Sequence, residues 1–349
     1  MTRTLFILGG TGFIGRATVA AAIESGWKVT ALARADEGAA RLRAAEARPV
    51  LGDVAWPDAW IDEARGATAL IDLVQPKLPT RMSPSAMATV SRERQAGTAG
   101  ILTALRGLPA ADRPLLFSIS GIDDLHADSR GVVDHRSPLR DRPRGFGRIG
   151  LPVRRLIEQS GLDTVYLYLG FVYGPGKAFA AQYVDGLRTG TARVVGRGDN
   201  YLPLTQVEDA ARAIVHLAGQ PRAALAGRNV VITDGADPTQ RELLDYTADL
   251  MGVKHASRAP APLVALVAGR VTVEMIARDV HADPAALLAT GFAFRYPSYR
   301  EGVPAALATL GHAPGTVSLG CAEVERQAPI RGRHHRRLTG TAMPQQESA

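Results

Sequence analysis

The chain begins with a short apolar run that ends in closely spaced glycines, Thr4-Leu5-Phe6-Ile7-Leu8-Gly9-Gly10-Thr11-Gly12-Phe13-Ile14-Gly15, and continues into a helix-like stretch to Ser25. A buried strand turning at once into a helix predicts the first unit of a parallel sheet, because parallel neighbours need a crossover connection. Glycine at 9, 12 and 15 permits a tight turn, lets a ligand approach the backbone, and lets helix and strand pack closely. The amides and dipole at such a helix start favour a pyrophosphate. A dinucleotide site is therefore expected at Gly9, Gly12, Phe13, Ile14 and Gly15.

The same rhythm continues through the first half. Strands are expected at Leu5 to Leu8, Val29 to Ala33, Val50 to Leu51, Ala69 to Val74, Leu115 to Ser118 and Val165 to Leu169, with helices at Ile14 to Ser25 and Ser85 to Leu108. The fold class is α/β, a Rossmann-like doubly wound parallel sheet with a smaller C-terminal substrate lobe. Residues 1–175 form the cofactor-binding core, and a segment at 203–233 returns to it with a helix at Val207 to Leu217 and a strand at Asn229 to Ile232. Residues 176–202 and 234–311 form the substrate lobe, including a helix at Gln240 to Met251, and 312–349 is a flexible tail rich in arginine, glycine and proline.

Composition narrows the classes. The 349 residues are 46% apolar, enough for one large core with an appended lobe. The net charge of +7 comes from 41 basic and 34 acidic side chains, and only 5% of the chain is aromatic, so a basic surface interleaved with stacking rings is not expected and neither is nucleic-acid binding. Cys321 is the only cysteine, which excludes an intramolecular disulfide and a multi-cysteine metal site. The adjacent His334 and His335 read as solvated tail, so no metal is expected. The apolar run Pro262 to Gly269 meets Arg270 before it could cross a bilayer, and the start at Met1 runs directly into a strand pattern. No membrane association and a cytoplasmic location are the resulting expectations.

Arg34 follows the second strand, and no acid stands at Ala31, Leu32 or Ala33. An acid there would accept from an unmodified ribose, whereas Arg34 suits a ribose 2′-phosphate. NADP(H) is expected to be preferred, with Asp36 and Glu37 close enough to leave NAD(H) open. After the third strand, Gly52-Asp53-Val54 places Asp53 to accept from an adenine amino group, with Val54 beside it.

With Gly170-Phe171-Val172-Tyr173-Gly174-Pro175-Gly176, Val207-Glu208-Asp209 and Tyr296-Pro297-Ser298-Tyr299-Arg300-Glu301-Gly302, these motifs resemble the extended short-chain dehydrogenase/reductases, particularly their NAD(P)-dependent epimerase, dehydratase and reductase members, over residues 3 to 310. The resemblance implies a small-molecule substrate in a cleft beneath the C-terminal lobe, and it admits a homodimer. It also implies a serine after the fifth strand, a tyrosine about 25 residues on, and a lysine four residues later. The phenol moves a proton at the substrate oxygen, and the lysine lowers its pKa. Ser120 stands at the serine position, but Phe146 and Gly150 align with the tyrosine and lysine. The spacing Tyr173 to Lys177 is a decoy, since Gly174 and Pro175 prevent one helix from carrying both. Gly145, Gly147 and Gly150 weaken the helix start at the aligned site, and Pro152 is expected in the first turn of a helix continuing through Glu158.

Near Tyr201 to Val207 the arginine and histidine that often bind substrate in the family are missing, which favours a weakly charged ligand. Ser120, Tyr168 and His135 are the catalytic candidates. Asp123 and Asp124 are read as caps for the segment after the fifth strand, and Asp134 and His135 as part of a loop able to cover the cleft. Three functions stay open: an atypical NADP(H)-dependent oxidoreductase acting on a small, weakly charged or activated metabolite; a non-redox dehydratase, isomerase or cyclase on the same fold; and a cofactor-sensing binding protein.

Overall fold

Side chains along Thr4–Leu8 (β1) alternate between two apolar cores, Leu5 and Ile7 on one face and Phe6 and Leu8 on the other, as a strand in the middle of a covered parallel sheet requires. In the computed structural model, which describes residues 3–176 and 179–312, β1 lies between Lys28–Ala33 (β2) and Ala69–Asp72 (β4). Arg48–Leu51 (β3) closes one edge, and Leu115–Gly121 (β5), Thr164–Leu169 (β7) and Asn229–Ile232 (β11) extend the other. The seven strands run parallel in the order β11-β7-β5-β4-β1-β2-β3. Strand order reverses beside β1, and all seven C-terminal ends share one edge, where open α/β sheets bind ligands.

Phe13–Glu24 (α1), Asp36–Ala44 (α2) and Val207–Ala218 (α5) cover the Leu5 face. Pro84–Gly107 (α3) and Gly147–Ser160 (α4) cover the Phe6 face, where Phe6 stacks on Trp60 at 5.4 Å. A smaller core gathers Phe171–Tyr173 (β8), Leu204–Gln206 (β10), Gln240–Met251 (α6) and Tyr299–Thr309 (α9) around Tyr173, Phe179, Leu243 and Val303. Thr239 and Glu242 form a capping box at the start of α6. Two short parallel pairs complete the strands, Val132–Val133 (β6) with His281–Ala282 (β13) and Arg193–Val195 (β9) with Ser257–Ala259 (β12). Cys321, the His334-His335 pair and the remaining tail after His312 lie outside the described residues, as does Lys177.

Three local expectations need correction. β4 stops at Asp72 and not at Val74, because the Asp72 carboxylate turns back to accept from Val74 N at 3.2 Å. β5 runs to Gly121, three residues past Ser118, through continued pairing of Ile119, Ser120 and Gly121 with β7. The third correction concerns α4, which starts at Gly147, so that Pro152 is its sixth residue and not part of a first turn. Distant carboxylates hold this glycine-rich entry: Phe146 N donates to Asp123 Oδ2 at 3.1 Å and Gly145 N to Glu274 Oε2 at 3.1 Å. Backbone donors that would otherwise be orphaned are thus satisfied. Burial of Gly147, Ile149, Leu151 and Val153 then offsets weak propensity and the carbonyl that Pro152 leaves without its donor.

Candidate active site

The glycine turn leaves no room for side chains. Gly9 has a φ of +76°, and a Cβ there would stand 2.7 Å from the Leu73 carbonyl oxygen. A Cβ on Gly15 would overlap the Gly9 carbonyl oxygen, and one on Gly176 the Phe13 ring. Gly12 caps α1 without a side chain, so the first amides of the helix at Phe13, Ile14 and Gly15 have no side-chain acceptor. Uncapped amides on a close-approach turn fit a pyrophosphate. Gly9, Gly12, Phe13, Ile14 and Gly15 would hold it.

Arg34 leaves the end of β2 exposed to solvent, and among the described residues it makes no ion pair. Asp53 and Val54 are half-buried beyond the end of β3. The Asp53 carboxylate accepts from Ala55 N at 2.9 Å and its carbonyl from Trp60 Nε1 at 2.9 Å, so one carboxylate oxygen is committed to the local turn. Val54 packs against the Trp60 core.

At the end of β5 the half-buried Ser120 donates its hydroxyl proton to Asp124 Oδ2 at 2.7 Å. Asp124 sits in the short turn Ile122–Asp124 and is fully buried. α4 crosses directly over this pair at Gly150, where a Cβ would overlap Ser120 Oγ and both carboxylate oxygens of Asp124. Burial pushes the Asp124 carboxyl up to about 7, against the Ser120 hydrogen bond and the fields of Arg154 and Arg278 and with the help of Asp123. Asp123 is bound differently. Its carboxylate takes Phe146 N and a 2.7 Å ion pair from Arg278, so neither acid caps the short segment after β5 as expected: Asp123 holds the distant entry to α4, and Asp124 is left to Ser120.

Tyr168 lies on the same sheet face as Ser120, one strand over, but it is buried beneath α4. Arg154 donates to its hydroxyl at 2.7 Å and to Asn229 Oδ1 at 2.8 Å, with its guanidinium 3.2 Å above the Tyr166 ring. Burial raises the Tyr168 pKa despite that arginine. His135 meets this network only through its backbone, whose carbonyl accepts from Asn229 Nδ2 at 3.4 Å near the N-terminal end of β11. Its Nδ1 is buried without a hydrogen-bond partner among the described residues. The loop carrying His135 is tied down by the β6 pairing with β13 and by a bridge between Leu125 and Leu139. Tyr173 is no relay either: it is fully buried in the smaller core, with Gly302 against its hydroxyl.

Above α4, Ala261–Ala268 (α7) and Arg270–Ile276 (α8) form a hairpin clamped to the segment after β4, through Met82 N to Ala268 O at 2.8 Å and Val271 N to Met82 O at 3.0 Å. Phe146, Ile149, Met82, Met87, Val271 and Met275 make an apolar cluster there. Among the described residues no group of three or more His, Cys, Asp or Glu side chains could hold a metal ion, and no helix is long and apolar enough to cross a membrane.

Residues 9–173 match a family described as NAD(P)H-binding. The fold is similar to that of human epimerase family protein SDR39U1, solved with NADPH, at a TM-score of 0.72 and 18% identity over 87% of this chain and 99% of that one. The chain therefore carries an NAD(P)H-binding domain on a Rossmann-like fold. Its parallel sheet and glycine turn are those expected of such a domain. Among curated relatives, the domain and the region after it are 27% identical, over 71% of this chain and 73% of the relative, to a 4-hydroxy-2-methyl-3-oxo-4-farnesyl-3,4-dihydroquinoline-1-oxide ketoreductase of Stigmatella aurantiaca. They are 28% identical, over 86% and 98%, to a 3-diazoavenalumate denitrifying reductase of a Streptomyces species.

Sequence reasoning placed Ser120 in the site and missed its partner. Asp124 is visible only as a nearby acid in the sequence; what gives it importance is the absent side chain at Gly150. Arg154 was missed too, and its position one turn beyond Gly150 on α4 is the signal that could have found it.

Proposed function

We propose that this protein is an NADP(H)-dependent reductase of a small, weakly charged or activated metabolite, in which Ser120 serves the substrate oxygen in place of the family's tyrosine and lysine. The observation that carries the reading is the filled space at Gly150: the Ser120–Asp124 pair occupies the volume into which a lysine side chain would start. Phe146, at the N-terminal boundary of α4, offers no proton. Reductase chemistry is supported by relatives named as a ketoreductase and a reductase. Exposed Arg34 supports the preference for a 2′-phosphate. A weakly charged substrate is supported by the apolar cluster at Phe146, Met82 and Met275.

When bound, the reduced nicotinamide supplies a hydride. Ser120, at the C-terminal end of a central strand, then hydrogen-bonds the oxygen on which charge develops, a role supported by its position on β5. Tyr168 and His135 rank behind it, since one is buried against Arg154 and the other lies toward the opposite end of β11.

The test is substrate-dependent loss of NADPH absorbance across a panel of ketones, quinone-like and other activated carbonyl compounds, with products identified by mass. Gain of two hydrogens with stoichiometric NADPH loss is the expected result. Conversion with no NADPH consumed would favour a dehydratase, isomerase or cyclase, a reading to which the near-neutral Asp124 carboxyl lends support. Tight NADPH binding with no conversion of any compound would favour a sensor.

A further inference from the structure

We propose that Asp124 is the proton store of this site and acts through Ser120, its protonation deciding whether the serine hydroxyl points to the carboxylate or to substrate. This rests on the reductase reading above and gives it a proton source. Asp124 is a positioning residue, since it is fully buried and its side chain's one hydrogen bond among the described residues is to the half-buried Ser120.

The geometry is that of a closed pair. Asp124 is buried completely, Oδ2 accepts from Ser120, and Oδ1 has no partner among the described residues. Three charged groups lie near enough to act on it without bonding to it, Arg154, Arg278 and Asp123. From α4, Arg154 spends its hydrogen bonds on Tyr168, Asn229 and Glu158. Beyond α8, Arg278 binds Asp123 and the Ile122 carbonyl, and Asp123 itself adds a like charge. Tyr168 approaches from β7 with its hydroxyl on Arg154. A buried carboxylate lacking a bonded cation is costly, so the neutral acid competes with it at ordinary pH.

A serine hydroxyl has one proton to give. With Asp124 ionised, that proton lies in the Ser120–Asp124 bond, and only lone pairs face the cleft. With Asp124 protonated, the acid donates to Ser120 Oγ and frees the serine proton for a substrate oxygen. In reduction, a reduced dinucleotide held on the glycine turn at Gly9, Gly12 and Gly15 would supply the hydride that the carbonyl carbon accepts. The carbonyl oxygen then forms a bond to the Ser120 proton as the Oγ–H bond breaks. Ser120 Oγ takes the Asp124 proton in turn, leaving the carboxylate. After product departs, water in the cleft returns one proton through Ser120.

Infrared difference titration of the cofactor-free protein between about pH 5 and 9 reads the store directly as a protonated-carboxyl stretch. Asp234 is also pushed up to about 7, so the difference between wild type and Asp124→Asn is the diagnostic signal. The expected result is a band that titrates near neutral pH in wild type and is missing from Asp124→Asn. In Ser120→Ala, which removes the hydrogen bond favouring the ionised form, the midpoint moves upward. With substrate and NADPH, wild-type kcat falls as pH rises through about 7, whereas Asp124→Asn shows no such inflexion and loses on the order of a hundredfold in kcat at low pH. Identical carboxyl spectra for wild type and Asp124→Asn would overturn the proposal, and so would an unchanged inflexion in that variant. Should Asp124→Asn fail to fold, an unmoved midpoint in Ser120→Ala overturns it alone. A band that titrates as expected in a protein that consumes no NADPH supports the store and removes only the reductase reading.

Discussion

Arg154 of α4 donates a hydrogen bond to the hydroxyl of Tyr168 on β7 at 2.7 Å, inside the layer between helix and sheet. The contact gives that hydroxyl a structural use and takes it away from the cleft. Tyr168→Phe should therefore leave turnover within about threefold of wild type and cost roughly 1 kcal/mol of stability, since Arg154 keeps Asn229 and Glu158. Chemical denaturation and steady-state kinetics on one preparation decide it; a collapse of turnover in a stable variant would return Tyr168 to the catalytic group.

Ser120→Ala should behave in the opposite way. Loss of a hydrogen bond made in the transition state is expected to cost about 1 to 3 kcal/mol, or roughly tenfold to more than a hundredfold in rate. Affinity for NADP(H), carried by the glycine turn, should not change. Calorimetric cofactor titration beside kinetics measures both, and full turnover in the folded variant would remove Ser120 from the mechanism.

Phe146→Tyr alone should not create ordinary ketone reduction. The new phenol would have no ammonium beside it to lower its pKa, and Gly150→Lys cannot supply one while Ser120 and Asp124 fill that space. The double variant is expected to melt well below wild type in a thermal scan. Strong NADPH oxidation by the single variant on simple ketones would contradict this account.

The protein should bind NADP(H) more tightly than NAD(H), with Arg34→Ala narrowing the difference by about 1 to 3 kcal/mol. Gly15→Val should weaken both cofactors, because any Cβ at that position meets the Gly9 carbonyl. Isothermal titration of the three proteins with both cofactors provides the check; equal affinities in wild type would leave Arg34 without a role.

Stability should carry the mark of Asp124 as well. Its carboxyl lies near 7 in the folded chain and near about 3.9 when unfolded, so the native state binds more protons between those values. That contribution is complete below about pH 4 and is lost as pH rises through about 7, at no more than about 1.4 kcal/mol per pH unit. Urea denaturation across this window should show wild type losing stability relative to Asp124→Asn. Parallel curves would mean that Asp124 does not titrate there.

The sheet was legible because its information is local: apolar runs such as Leu5 to Leu8 and Val165 to Leu169 are buried on both faces, and the glycines at 9, 12 and 15 mark the switch point by spacing alone. Asn229 to Ile232 could be assigned to the same sheet on the same grounds. The entry to α4 was not legible. Gly145 and Gly147 argue against a helix, and what overrides them comes from Asp123 and from Glu274 more than a hundred residues later. Ser120 could be found by alignment with a family pattern, but its bond to Asp124 follows from a strand ending in a tight turn, a geometry that leaves no periodic trace.

The missing side chain at Gly150 also bears on how the site can vary. A side chain at this position and the Ser120–Asp124 pair in its present placement compete for one volume, so gaining a side chain here requires the serine and the acid to move or change with it. The glycine, the serine and the acid are thus one sterically coupled unit, in which a substitution at any member is felt by the other two.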